Sequence, residues 1–224
     1  MQVKKRDGTL EPLDIDKLHK VVMYACEGIT GVSASQVEIN SKIQFFESMP
    51  TQDIQETLIK SAADLISEEN PNYQYVAGRL INYHLRKMVY NTFTPPCLCD
   101  VIDDNINAGM YDKEFTELYT KDEINQLNIY IKHDRDEVLT YAAMEQFRGK
   151  YLVQNRATGE IYETPQVAYM MIAASLFSKY PTETRLQTVK DYYDAISTFK
   201  ISLPTPIMAG VRTPQRQFSS CVLI

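Results

Sequence analysis

Apolar positions change period early in the chain. From Val3 to Leu13, two short runs of extended character flank Asp7-Gly8. An Asp-Gly pair supplies the positive φ angles of a tight two-residue turn, so Val3 to Arg6 and Thr9 to Leu13 are predicted to pair as a hairpin. A helical period follows: Ile15, Leu18, Val22 and Ala25 share one face, Asp14 stands at the N-cap, and Gly28 ends the run. A second helix is predicted over Ser35 to Phe46. A third starts with Thr51 as N-cap, has Asp53 near the positive end of its dipole, and buries Ile54, Leu58, Ala62 and Leu65. Pro71 suits the first position of a fourth helix, whose apolar side carries Val76, Leu80 and Met88 and leaves Arg79, Arg86 and Lys87 outside.

Asn91 to Pro96 reads as a boundary, because Pro95-Pro96 cannot continue a helix. The region beyond it is predicted mainly helical, over Val101 to Ala108, Lys121 to Lys132, Glu137 to Phe147, Gln166 to Lys179 and Glu183 to Phe199. Tyr151 to Gln154 and Glu160 to Thr164 form a candidate hairpin around Thr158-Gly159. The last residues, Val222, Leu223 and Ile224, have the character of a buried strand. The chain is therefore expected to stop where a larger core begins.

With 224 residues, 44% of them hydrophobic and 23% charged, the composition fits an ordinary globular protein of one or two domains. A formal net charge of −6 disfavours a general nucleic-acid binder, which needs a sizeable basic surface. The N-terminus lacks the apolar run of a signal peptide, and no window reaches the roughly 18 apolar residues of a membrane span, so a cytoplasmic location is expected. Cys26, Cys97, Cys99 and Cys221 show neither a disulfide framework nor paired zinc spacing. No metal site is assigned, and His19 and His133 lack ligand spacing with nearby acids or cysteines. Cys97 and Cys99, on either side of Leu98, read as packing residues, as does Cys26.

One basic constellation is a candidate for chemistry. Lys4, Lys5 and Arg6 lie on the hairpin, Lys17 and Lys20 on the first helix, and Lys87 on the fourth. Brought together they would surround a polyphosphate, and the start of the Thr51 helix offers N–H groups of the kind that bind phosphate. Solvated faces of a hairpin and helices account for the same residues. No G-x-x-x-x-G-K-[ST] loop is present.

Longer motifs carry a resemblance. Val3-Lys-Lys-Arg-Asp-Gly-Thr, Asp16-Lys17-Leu18, Thr51-Gln-Asp-Ile and Tyr73-Gln-Tyr-Val-Ala-Gly-Arg-Leu resemble the ATP-cone of ribonucleotide reductases. Gly149-Lys-Tyr-Leu-Val-Gln-Asn-Arg, Thr158-Gly-Glu-Ile-Tyr-Glu, Ser197-Thr-Phe-Lys-Ile-Ser-Leu-Pro-Thr-Pro-Ile-Met and Arg212-Thr-Pro-Gln-Arg-Gln-Phe-Ser-Ser-Cys resemble the large catalytic (alpha) subunit of class I ribonucleoside-diphosphate reductase. The resemblance covers essentially the whole chain and less than a third of a complete large subunit. It implies a mainly α (α+β) fold in three parts: an ATP-cone over 1–91 with about four helices and a small hairpin or sheet, a helical domain over 92–200, and over 201–224 the start of a ten-stranded α/β barrel, cut short.

Carried over by motif, the resemblance places Lys5, Arg6, Lys17, Thr51 and Lys87 at or beside the phosphates of an allosteric ATP or dATP. Glu11 and Asp14 fall where the adenosine portion is recognised, although a surface acid and an N-cap explain the same two residues. The family commonly has Asn at position 14 and His at position 55, so Asp14 and Gln55 change the charge and donors beside the effector; adenine-nucleotide binding is the firmer implication, and dATP inhibition does not follow from it. His84 falls near the fourth helix, where helix packing accounts for it. At the other end Thr205, Ser220 and Cys221 match substrate-site positions. Cys221 matches a redox-active cysteine that, with a second cysteine outside this chain, reduces a ribonucleoside diphosphate after a thiyl radical has removed the ribose 3′ hydrogen. Without the surrounding motif a buried structural thiol would explain Cys221.

The implied partners are the remaining C-terminal segment of the large subunit, a second large subunit in a homodimer, a radical-generating small (beta) subunit that holds the radical cofactor, and thioredoxin or glutaredoxin as reductant. Neither a membrane nor a nucleic acid is among them. The chain is expected to be inactive alone, either as a truncation or as part of a divided subunit. The alternative reading is a stand-alone nucleotide-sensing regulatory or assembly module.

Overall fold

A computed structural model describes residues 1–219; Ser220, Cys221 and the strand expected over 222–224 lie outside the described residues. The chain is mainly helical with one small sheet, and it divides into two compact units, 1–93 with 136–145, and 94–135 with 146–224.

In the first unit, β1 (Gln2–Lys4) pairs antiparallel with β2 (Leu10–Pro12), with Val3 opposite Glu11. The connection is one residue longer than a two-residue turn. Lys5 N–H donates to the Thr9 carbonyl at 2.8 Å, Gly8 N–H donates to the Lys5 carbonyl at 3.0 Å, and Gly8 alone in the loop has positive φ, at 88°. This is a turn over Lys5 to Gly8 closed by a left-handed glycine, the common three-residue hairpin. Asp7 braces it by accepting from the Thr9 N–H and hydroxyl, and these bonds hold its carboxyl below the usual range.

A third strand, β3 (Met49–Pro50), runs parallel to β1 with Val3 opposite Met49. Val3, Met49 and Ile54 form a small buried cluster covered by Leu13, Leu18, Ile43 and Phe45. That cluster explains why the second helix stops early. Helix α1 spans Ile15–Cys26 and α2 spans Ala34–Ser41, capped by Asp14 and Ser33 side chains. Lys42 then turns left-handed at φ 46°, which frees Ile43 and Phe45 from helical geometry to cover the sheet. Ile15, expected in the buried stripe of α1, is 61% exposed in the first turn, whereas Val22 and Ala25 are fully buried.

Helix α3 spans Thr51–Asp64 and α4 spans Tyr73–Tyr90. Pro50, at the end of β3, takes the N-cap position without a side-chain bond, so Thr51 is the first helical residue and not the cap. Pro71 likewise precedes α4, whose N-cap is Asn72. Helix α3 packs on α4, with Leu58 and Ala62 of the first and Val76 and Leu80 of the second buried in the unit.

Segment 136–145 completes the unit and overturns one expectation. Arg86 is not an outward charge: it is 6% exposed and its Nη2 donates to Oδ2 of the fully buried Asp136 at 3.3 Å. Arg79 donates to the Glu137 carbonyl at 3.2 Å. Gly78 lies so close beneath the Leu139 carbonyl that a Cβ at this position would overlap it.

In the second unit, α5 (Leu98–Asn107) packs on α7 (Lys121–Tyr130), with the short α6 (Phe115–Leu118) between them in sequence. The single helix expected over Glu137 to Phe147 is instead a 3-10 turn over His133–Val138, α8 (Tyr141–Gln146), which falls in the first unit through residue 145, and a π-helical turn over Phe147–Tyr151. Helix α9 (Pro165–Leu176) is buried on all sides through Ala174 and packs on α10 (Thr182–Ser197). A helix apolar all round belongs to the middle of a core.

The hairpin expected around Thr158-Gly159 shrinks to a single bridge, Gln154 with Ile161. The ladder ends because Glu163 turns inward, accepting from the Val153 N–H at 2.6 Å and from the Tyr111 hydroxyl at 2.5 Å. Arg212 meets the same carboxylate, with its Nε 2.8 Å from Oε2 and its Nη2 on Oε1, and Nη1 donates to the Met208 carbonyl at 2.7 Å. Both side chains are fully buried. Burial works against the guanidinium charge, and Glu163 outweighs it, leaving the Arg212 pKa above its ordinary value. Helix α11 (Thr205–Gly210) follows α10.

Candidate functional site

One cavity of about 930 Å³ opens in the first unit, walled by the hairpin, α1, α3 and α4. Each element delivers particular side chains for a local reason. The three-residue turn sets Lys5 and Arg6 at the end of β1, and the antiparallel register brings Glu11 of β2 alongside. Asp14 caps α1, accepting from the Lys17 N–H at 3.1 Å, which puts Asp14, Lys17, Val21 and Tyr24 along one edge of that helix. The parallel pairing of β1 with β3 holds the start of α3 beside the hairpin, so Thr51 and Gln55 join the wall. Tyr83 and Lys87, one turn apart on α4, complete it.

All eight residues assigned by resemblance to the effector, Lys5, Arg6, Glu11, Asp14, Lys17, Thr51, Gln55 and Lys87, line this cavity. Lys20 lines it too, giving five cations against the carboxylates of Asp7, Glu11 and Asp14. Lys5 pairs with Glu11 at 3.2 Å and Lys17 lies 3.9 Å from Asp14. Arg6, exposed as a whole residue, sends its guanidinium inward to Nδ1 of buried His84 at 3.0 Å. Burial lowers the Arg6 pKa. Burial also lowers that of Lys87, and the positive charges of Arg6 and Lys5 lower it further. Mutual repulsion of this kind is relieved by an anion placed among the three.

Aromatic side chains also line the site, a part of it that sequence reasoning missed. Phe93 stands edge-on to Tyr24 and tilted against Tyr83, each at 5.3 Å between ring centroids, and the Lys87 ammonium lies 5.9 Å from the Tyr83 ring. Burial pushes the Tyr24 hydroxyl up to about 12, with Glu137 adding to the effect. Tyr83 and Lys87 sit four apart, a spacing that could have flagged the pair. Gln55, which also lines the cavity, is 8% exposed, and its buried Nε2 has no hydrogen-bond partner among the described residues. A buried N–H left unpaired costs about 1–3 kcal/mol, so a donor in a polar cavity invites a ligand acceptor.

Of the three residues matched by resemblance to a substrate site, two lie outside the described residues. Thr205 is exposed at the first position of α11, and Ser220 and Cys221 fall beyond residue 219. No described helix is long and apolar enough to cross a membrane.

Residues 1–88 match the ATP cone domain, and residues 137–216 match the ribonucleotide reductase all-alpha domain. The chain is 58% identical over 222 residues to ribonucleoside-diphosphate reductase 1 subunit alpha of Escherichia coli K12, covering 99% of this chain and 29% of that protein. The alpha subunit of Haemophilus influenzae is 57% identical, with 100% and 30% covered, and that of Enterobacteria phage T4 is 46% identical, with 100% and 29% covered. The chain thus spans under a third of the length of these relatives. The cone match supports nucleotide-effector binding in the first unit. The chain belongs to the family of ribonucleoside-diphosphate reductase alpha subunits, with a match to the ATP cone and a second match to the all-alpha domain.

Proposed function

We propose that the first unit binds ATP or dATP as an allosteric effector. Lys5, Arg6, Lys17 and Lys87 neutralise the phosphates, the uncapped first turn of α3 at Thr51 adds N–H donors, and Gln55 Nε2 donates to the ligand. Glu11 and Asp14 take the adenosine portion, against the aromatic wall of Tyr24, Tyr83 and Phe93. The observation that carries this reading is the convergence of five cations and one unpartnered buried donor on a single concavity.

The test is calorimetry with ATP and dATP on the intact chain and on Lys5→Ala. Loss of one charge-assisted hydrogen bond, worth about 1.5–3 kcal/mol, corresponds to a ten- to hundredfold weaker affinity. Unchanged affinity in the variant removes Lys5 from the site.

The chain then serves a ribonucleoside-diphosphate reductase as part of an assembly with the remaining large-subunit segment, a second large subunit and a radical-generating small subunit. Thr205 and Ser220 hold the substrate. Cys221 and a second cysteine from the remaining segment give two electrons and two protons, the 2′ hydroxyl leaves as water, and the disulfide formed is reduced by thioredoxin or glutaredoxin. Mixing the chain with such a segment and small subunit should restore CDP reduction, and Cys221→Ser should abolish it. Turnover that survives the substitution rejects the redox role.

A further inference from the structure

We infer that Cys97 and Cys99 form a second redox centre, a dithiol in the second unit that closes to an intramolecular disulfide by exchange with a small-molecule disulfide. Residues two apart in a regular helix point to opposite sides. Here Cys97 is the N-cap of α5, with extended angles of φ −58° and ψ 140°, and Cys99 is the second helical residue. The corner between extended chain and helix swings the two side chains together, and their sulfurs lie 2.6 Å apart. Both thiols are half-buried, open to a small reagent.

The spacing decides between two chemistries. Cys97, Cys99 and Asp100 form a group whose ligand atoms all lie within 4.8 Å, so a thiophilic cation is the competing occupant. Two thiolates on one tetrahedral zinc, each at about 2.3 Å, stand about 3.7 Å from one another. The observed sulfurs are about 1 Å too close for that, and within about 0.6 Å of a disulfide bond. The group has no imidazole to supply a neutral ligand.

The roles of the two thiols differ. The contact with Cys97, then burial and the charge of Asp100, push the Cys99 thiol up to about 11. Cys99 therefore keeps its proton and serves as the resolving thiol, and the Cys97 sulfur is left to attack. The Cys97 thiolate attacks one sulfur of R–S–S–R, forming Cys97–S–S–R and expelling RS⁻. Cys99 gives up its proton and attacks the Cys97 sulfur, forming the internal disulfide and expelling the second RS⁻. The two thiol protons end on the two RS⁻ leaving groups, so two cysteines are oxidised and one small disulfide is reduced to two thiols. Leu98, between the two cysteines, is 1% exposed and its N–H donates to Asn128 Oδ1 at 2.8 Å, so the loop being closed is already held in place.

The probe is glutathione disulfide, applied to the full chain and followed by alkylation, trypsin digestion and mass spectrometry. The tryptic peptide Met88 to Lys113 contains both cysteines and no other. The expected result is loss of alkylation at both positions, a peptide lighter by two hydrogens, and full recovery with dithiothreitol. In Cys99→Ser a glutathione adduct should persist on Cys97, because nothing resolves it. A stable adduct on the wild-type peptide, continued alkylation of both thiols, or a bound zinc ion that protects them would each overturn the proposal.

Discussion

Nη2 of Arg6 lies 3.0 Å from Nδ1 of His84, joining the hairpin to α4 across 78 positions of sequence. An arginine N–H can only donate, so Nδ1 accepts and a neutral ring carries its proton on Nε2. That nitrogen is 3.3 Å from Oε1 of Glu56 but lacks the alignment of a hydrogen bond. His84→Ala would remove the acceptor that aims Arg6 and open a void in α4, at about 2 kcal/mol of stability by urea unfolding. ATP affinity should fall with it. His84→Asn, whose amide oxygen can stand in for Nδ1, should recover part of the affinity.

Gln55 offers a test in which stability and binding move in opposite directions. Its Nε2 is buried without a partner among the described residues, so Gln55→Met removes an unsatisfied donor while keeping volume. The nucleotide-free chain should gain about 1 kcal/mol, read as a higher Tm, and ATP affinity should drop. A variant less stable and still tight-binding would mean that Gln55 is satisfied in the free chain.

Proton uptake should report on Lys87. Its folded pKa lies below the ordinary 10.5, through burial and the charges of Arg6 and Lys5. Between the two values the folded state holds fewer protons than the unfolded chain, so stability attributable to Lys87 rises with pH there, and the repulsion is fully present at neutral pH. A bound polyphosphate favours the charged amine and raises its pKa. Calorimetry in alkaline buffers of different ionisation heat should therefore show net proton uptake on ATP binding, growing as pH approaches 10.5. Lys87→Met should lose it.

At Gly78 two effects compete. Alanine in a helix interior usually stabilises by up to about 1 kcal/mol relative to glycine. Here the added methyl would overlap the Leu139 carbonyl, and overpacking costs about 1–3 kcal/mol, so Gly78→Ala should destabilise. Hydrogen exchange should accelerate most in 136–145.

The Arg212–Glu163 pair should resist removal of either member. Arg212→Met leaves a fully buried carboxylate with only the Tyr111 hydroxyl and the Val153 N–H, and should cost about 3–5 kcal/mol in chemical denaturation. Adding Glu163→Gln should restore part of the loss, as a coupled pair requires.

Local rules account for what is legible in the sequence. Asp14 and the apolar spacing after it locate α1, and the mixture of Lys5, Arg6, Lys17 and Lys87 shares one cavity. Long-range pairing is not legible. Nothing local marks Lys42 as left-handed; Ile43 and Phe45 are drawn out of the helix by a cluster built from Val3, Met49 and Ile54. Arg86 carries the pattern of an outward charge because its partner, Asp136, lies fifty positions away. Thr51 has the sequence signature of a cap because a two-residue strand ending at Pro50 gives no periodic signal.

The discontinuity of the first unit bears on how the effector domain can be handled. A chain shortened to end at Phe93 would keep every residue of the cavity wall and still strip α4 of Asp136 and of the Leu139 backbone above Gly78. Arg86 would then lose the carboxylate facing its charge, in the middle of the helix that bears Tyr83, His84 and Lys87. Excising the cone at its apparent linker would thus sever a brace from that helix, whereas grafting 136–145 back through a short loop would preserve it.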